Sequence, residues 1–192
     1  LPDRPFALKH TCPTKLLPSD FKVFQVGMDM SGTRDLCRAF SNAGMSYVHW
    51  DNNKLGENMR CSRLHNFHPF QNYDDFILIS NIVDNNDFYD GFLDLGLLYR
   101  HYPNAVLIIN HRPLEDWIQI RSNFNNRQYI KSAKIAYCYE DDKQVQNRWR
   151  EEWERHTEIA RHMKQKNNAR IIKYAIETQP VGDIVDQTLE LA

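Results

Sequence analysis

Apolar side chains recur along this chain with two different periods. Five short runs, at residues 21–26, 47–50, 76–80, 105–110 and 170–174, are apolar, β-branched or aromatic, and each predicts a buried strand. Between them the spacing lengthens to three and four. Leu36, Ala39, Phe40 and Ala43 share one helical face, and Phe88, Phe92, Leu95, Leu98 and Tyr102 share another. Residues 141–166 predict a long helix with Val145, Trp149, Trp153, His156, Ala160 and Met163 on one stripe and Arg, Glu, Lys and Gln opposite. A last helix over residues 181–191 turns Ile184, Val185, Thr188 and Leu189 inward. Strands alternating with helices predict an α/β fold: three layers, with a mostly parallel five-stranded sheet covered on both faces. Residues 1–20 hold four of the eight prolines and little periodicity, so they read as an arm lying on a single domain of residues 21–192.

Composition narrows the class. The chain has 192 residues, and its 24 Lys+Arg against 25 Asp+Glu give a formal charge of −1. That balance argues against nucleic acid or an anionic membrane as the main partner. No apolar run approaches the length of a membrane span. Four scattered cysteines without a CxxC pair, no Asn-x-Ser/Thr sequon and no signal-peptide pattern make a cytoplasmic location the expectation. Cys61, His65 and His68 are too loosely spaced for a zinc site, and no metal is expected.

The most informative stretch is Val23-Phe24-Gln25-Val26-Gly27-Met28-Asp29-Met30-Ser31-Gly32-Thr33-Arg34. A hydrophobic strand runs through a glycine-bounded turn directly into an amphipathic helix, aiming free backbone N–H groups and the positive helix end at an anion. Ser31 and Thr33 add hydroxyls. The Gly-Lys-Ser/Thr of ATPase loops is absent. By itself the stretch reads either as a phosphate loop or as a plain strand-turn-helix with a serine cap.

A second stretch, Ala105-Val106-Leu107-Ile108-Ile109-Asn110-His111-Arg112-Pro113-Leu114-Glu115-Asp116-Trp117, puts an arginine just past a buried strand, with a tryptophan five positions on. Together the two stretches resemble the signatures of the sulfotransferases that use 3′-phosphoadenosine 5′-phosphosulfate. Tyr102-Pro103-Asn104 and the segment 149–156 are similar to the smaller bacterial-type members. The resemblance implies a P-loop NTPase-like fold and a nucleotide co-substrate. Ser31, Gly32, Thr33 and Arg34 would lie on the 5′-phosphosulfate, with Arg112 on the 3′-phosphate. Arg112 has a rival reading, an ion pair with Glu115 or Asp116 one turn on.

Two positions depart from the family. Met30 stands where a Lys or Arg usually neutralises the transferring group, and Ile120 stands where a Ser usually helps to hold the 3′-phosphate. Ser122 is the nearest serine, about half a helical turn from the expected direction. Arg34, on the first helical turn, is the candidate substitute cation. Its alternatives are solvent or Asp35.

Sulfuryl transfer to a hydroxyl or amine needs no metal and no covalent intermediate, only alignment, charge stabilisation and a proton acceptor. Asn81 occupies the zone where the family's base is expected and cannot take a proton. Asp84 is the nearest carboxylate, with a helix-capping role before Phe88 as its alternative. His156, on the inner stripe of the long helix, is the other candidate, with a core hydrogen-bonding role as its alternative. His49-Trp50 ends the second strand and reads either as core packing or as an aromatic rim of the expected cleft, suiting a small-molecule or carbohydrate acceptor. Residues 123–140, weakly periodic, read as a lid over that acceptor. The expectation is thus a sulfotransferase whose catalytic candidates are Arg34, Asp84 and His156. A non-catalytic nucleotide-binding relative is the alternative, and a small nucleotide kinase comes third. Oligomeric state is left open.

Overall fold

The computed structural model describes residues 17–18, 20–84 and 89–192. Most of the proposed arm, residues 1–16 and 19, lies outside them, although Leu17 packs against the core cluster that includes Phe21, Phe40 and Ile184. Five strands form one sheet: β1 (Val23–Gln25), β2 (Tyr47–His49), β3 (Leu78–Ser80), β6 (Val106–His111) and β7 (Arg170–Ala175). Their order is β2-β3-β1-β6-β7, and every pairing is parallel. All five coincide with the apolar runs, with no end displaced by more than two residues.

Strand side chains point alternately to the two faces. Val23, Leu78, Val106, Ile108 and Ile172 meet Leu36 and Phe40 of α1 (Thr33–Asn42) and Ile184 and Val185 of α7 (Val181–Glu190). Phe24, Ile79, Leu107, Ile109 and Ile171 meet α2 (Lys54–His65), α3 (Leu95–His101) and α6 (Asp142–Lys166). Helices on both faces complete three layers, the all-parallel arrangement in which central strands are apolar throughout.

The long helix begins where expected. Asp141 accepts from the Gln144 N–H at 2.9 Å while the Gln144 side chain accepts from the Asp141 N–H at 3.2 Å, a reciprocal cap. Its inner stripe buries Val145, Trp149, His156, Ala160 and Met163, with Trp153 half-buried.

Two expectations change. The stripe from Phe88 to Tyr102 is not one helix. A two-stranded antiparallel ribbon, β4 (Val83–Asp84) with β5 (Tyr89–Asp90), precedes a single turn at Gly91–Leu93 and the short α3. The Gly91 N–H donates to Ile82 O at 2.9 Å, and a Cβ on Gly91 would lie 2.5 Å from that oxygen, so the chain crosses here too closely for a helix to have started earlier. Residues 123–140 are not a loose lid either. They hold α5 (Gln128–Tyr137), whose Ile130 and Ala133 are buried against α4 (Leu114–Asn123) and α6 beside Trp117, Trp149 and Met28. No described helix is long and apolar enough to cross a membrane.

Candidate anion site at the carboxyl edge

The carboxyl ends of all five parallel strands lie along one edge, where open α/β sheets take their ligands. β1 is central there, and the turn of residues 27–32 leaves it for α1. The neighbouring β6 outruns β1: Gln25 pairs with Ile108, and Ile109, Asn110 and His111 continue against β7. Asn110 therefore rises beside Gly27, where a Cβ would fall inside its backbone and amide, so only glycine fits.

A closed polar network holds the turn from below. Gln25 Nε2 donates to Asn110 Oδ1, while Gln25 Oε1 accepts from the Ser80 hydroxyl and the Asn81 N–H at 2.9 Å each. Asn110 Nδ2 donates to Ser31 Oγ at 2.6 Å and to the Ser31 carbonyl, and Ser31 Oγ donates to Met28 O. All four side chains are buried, so each amide hydrogen bond replaces water that could not reach it. The Ser31 hydroxyl is thus a support of the turn, facing Asn110 and Met28.

The turn ends on Gly32, at φ 78° the left-handed start of α1, with no side chain capping the helix. The N–H groups of the first turn, beginning at Thr33, are therefore those a bound anion would meet. Arg34 is exposed on that turn, and Asp35 pairs with Arg38 at 3.3 Å. Thr33 Oγ1 lies 3.0 Å from His49 Nε2 at the end of β2. Met30 holds φ 57° within the turn.

Arg112 follows β6. Neither acid one turn along takes it: Glu115 is bound in a fork by Arg150 at 2.9 and 3.1 Å. Arg112 Nη1 lies 3.5 Å from Glu177, in the segment after β7, and its Nε is buried with no hydrogen-bond partner among the described residues. A guanidinium so placed still offers N–H groups to a phosphate.

A second support, absent from the sequence reading, ties the turn to α4. Trp117 Nε1 donates to Asp29 O at 2.9 Å, and Arg121 Nε lies 3.5 Å from the Asp29 carboxylate. Arg121 is 1% exposed, caged by the rings of Trp149, Trp117 and Tyr129 at 4.7, 4.9 and 5.1 Å, and donates to the Tyr129 hydroxyl at 2.8 Å. The concentration of aromatic residues on α4, α5 and α6 is the signal that could have revealed it.

The other candidates separate. His156 is sealed in the core. Burial pushes its imidazole down to about 4, against a hydrogen bond to the Val26 backbone that works the other way. It therefore sits neutral under the last residue before Gly27, away from solvent. Ser122 accepts from Gln146 at 3.1 Å and lines a cavity of about 330 Å³ between α4 and α6 that reaches neither Arg112 nor the turn. Asp84 ends β4 in the ribbon rather than capping a helix, and its side chain lies outside the described residues. Gly32, Thr33 and Arg34 thus stand together at the start of α1, and Arg112 follows the neighbouring strand β6 at the same sheet edge. The structure does not gather Ser122 or His156 at the open edge. Among the described residues no group of three ligating side chains could hold a metal.

No protein-family model matches the chain, and no curated protein sequence matches it.

Proposed function

We propose that this chain is a sulfotransferase of P-loop type, moving a sulfuryl group from 3′-phosphoadenosine 5′-phosphosulfate to the hydroxyl or amine of a small-molecule or carbohydrate acceptor. The observation that carries this reading is the uncapped α1 amino terminus, set after the central strand of an all-parallel sheet, with Arg112 just past the end of the neighbouring strand. The strand order, with the turn leaving the middle strand, supports the finer fold assignment. The α1 N–H groups and Arg34 would meet the 5′-phosphosulfate, and Arg112 the 3′-phosphate. Transfer is then a single in-line displacement. The acceptor oxygen bonds to sulfur as the bond to the bridging phosphate oxygen breaks, and cationic and N–H groups stabilise the leaving charge.

Met30 favours a second reading, a relative that binds the nucleotide and does not transfer, because the turn itself carries no cation. One pair of measurements separates them. Adenosine 3′,5′-bisphosphate should raise the thermal midpoint more than ATP with magnesium does, since a ligand of the native state stabilises it. Labelled sulfate should then appear on a phenol when the full donor is supplied. Stabilisation without transfer selects the second reading, and no stabilisation by either nucleotide removes both.

A further inference from the structure

A hydroxyl acceptor must lose a proton during transfer, and three groups already described do not take it. Asn81 is an amide, Ser31 faces inward, and His156 is sealed. We propose that His49 is the base, receiving the acceptor's proton on Nε2 beside the first turn of α1; this rests on the sulfuryl-transfer reading.

Geometry puts His49 where the acceptor must arrive. It ends β2 at the carboxyl edge, half-buried, with Nε2 3.0 Å from Thr33 Oγ1, and Thr33 is the first residue of the helix whose N–H groups would face the donor. In the tautomer protonated on Nδ1, Nε2 accepts the Thr33 hydroxyl, which keeps the ring aimed until an acceptor hydroxyl takes that place. Burial and the Arg34 charge hold the imidazole below its ordinary range, while a hydrogen bond to its own backbone opposes them. It is therefore neutral and able to accept at neutral pH.

Other titratable groups nearby do not reverse this. Cys37 lies one turn further along α1, where burial raises its thiol to about 11 and leaves it uncharged. Asp51 accepts from the Tyr73 hydroxyl at 2.6 Å and lies 3.9 Å from Lys54. The chain beyond His49 is also unusual: Trp50, Asp51, Asn52 and Asn53 have φ of 63°, 42°, 52° and 75°, four left-handed residues in a row. Asn and Asp adopt this region readily, but tryptophan does so rarely, and such strain persists only where surroundings enforce it. Here Trp50 Nε1 donates to Asn53 Oδ1 at 2.8 Å, and the Trp50 N–H donates to Ser80 O at 3.0 Å. The turn fixes a half-buried indole on the residue that follows the proposed base.

In the step itself the acceptor oxygen bonds to sulfur, the sulfur–oxygen bond to phosphate breaks, and the electron pair leaves on adenosine 3′,5′-bisphosphate. The acceptor's proton passes to His49 Nε2, and the imidazolium then returns it to water.

Two acceptors of different acidity test this. Phenol must be deprotonated during transfer, whereas 4-nitrophenol is a far stronger acid and is largely ionised at the mildly alkaline pH of the assay. His49→Gln should lower kcat/KM about a hundredfold with phenol and only severalfold with 4-nitrophenol, leaving the Kd of adenosine 3′,5′-bisphosphate within about threefold. Added imidazole should restore part of the phenol rate in His49→Ala, which also guards against a folding defect. Equal losses with both acceptors, no loss, or the acceptor-dependent loss falling on His111→Gln instead would overturn the assignment while leaving the transferase reading intact. A wild-type chain that binds nucleotide without transferring to either phenol overturns both.

Discussion

Replacing Arg121 by methionine tests whether the turn of residues 27–32 is held by a buried ion pair. The substitution keeps an unbranched side chain inside the cage of Trp117, Tyr129 and Trp149 but removes the guanidinium 3.5 Å from Asp29, whose side chain is 8% exposed. Breaking one side of such a pair costs about 3–5 kcal/mol, because the remaining charge stays in a poorly solvated place. Against a total stability of about 5–15 kcal/mol this is large. At roughly 2–4 °C per kcal/mol for a chain of this size, the thermal midpoint should fall by about 10 °C. Asp29→Asn added to Arg121→Met should recover part of the loss, with a coupling of about 1–3 kcal/mol, since the buried Asp29 charge is then gone. Urea unfolding of wild type, both single variants and the double variant gives all four corners of the cycle. Nucleotide titrations on the same samples should show the single Arg121→Met variant binding about tenfold more weakly, although Arg121 reaches the ligand only through the turn. An Arg121→Met protein within about 1 kcal/mol of wild type, or a double variant whose losses simply add, would refute the ion pair as a support of the turn.

Arg112→Ala should weaken adenosine 3′,5′-bisphosphate by roughly 2–4 kcal/mol, read by calorimetry, and an unchanged Kd would make Arg112 a partner of Glu177 only. Arg34→Ala should lower turnover about a hundredfold with a smaller effect on nucleotide affinity if Arg34 is the substitute cation; if it is not, Met30→Lys should raise transfer and Arg34→Ala should do little. Gly27→Ala should cost about 3 kcal/mol or more in chemical denaturation, because its methyl would overlap Asn110. The folded chain holds His156 down to about 4, so the unfolded chain binds the extra proton between that value and the ordinary imidazole range near 6.5. Its contribution to stability is therefore complete above the unfolded value and is lost as pH falls towards about 4, a change on the order of 3 kcal/mol. His156→Phe should flatten that part of the pH–stability curve.

The strands of the sheet were legible because alternation of β-branched and apolar residues leaves few other ways to bury them. The long helix was legible from its stripe and from Asp141 at its start. The ribbon β4–β5 was not, since Phe88 and Phe92 continue the three-and-four spacing of α3 backwards; Gly91, in the middle of that stripe, was the clue to a close crossing. The site was half legible. The turn from β1 into α1 and the place of Arg112 just past β6 follow from order along the chain. The network of Gln25, Asn110 and Ser31 depends on the offset between β1 and β6, which no local pattern records. Two amides placed within otherwise apolar strands were its only trace. The sequence pattern does not single out Arg121, because the rings that enclose it come from three helices.

The strand order also sets a timetable for the chain during synthesis. β1 is made first among the strands, yet both of its neighbours, β3 and β6, come later, and Asn110 is 85 residues downstream of Gln25. At roughly 5–20 residues per second the ribosome needs on the order of 4–17 s to deliver that amide after Gln25 has been made. Throughout that interval Val23 and Phe24 have no sheet partner on the β6 side, and Gly27 has nothing to lean on. A nascent chain halted before residue 110 should therefore bind chaperones and no nucleotide, and the anion cradle should close late and all at once when β6 docks.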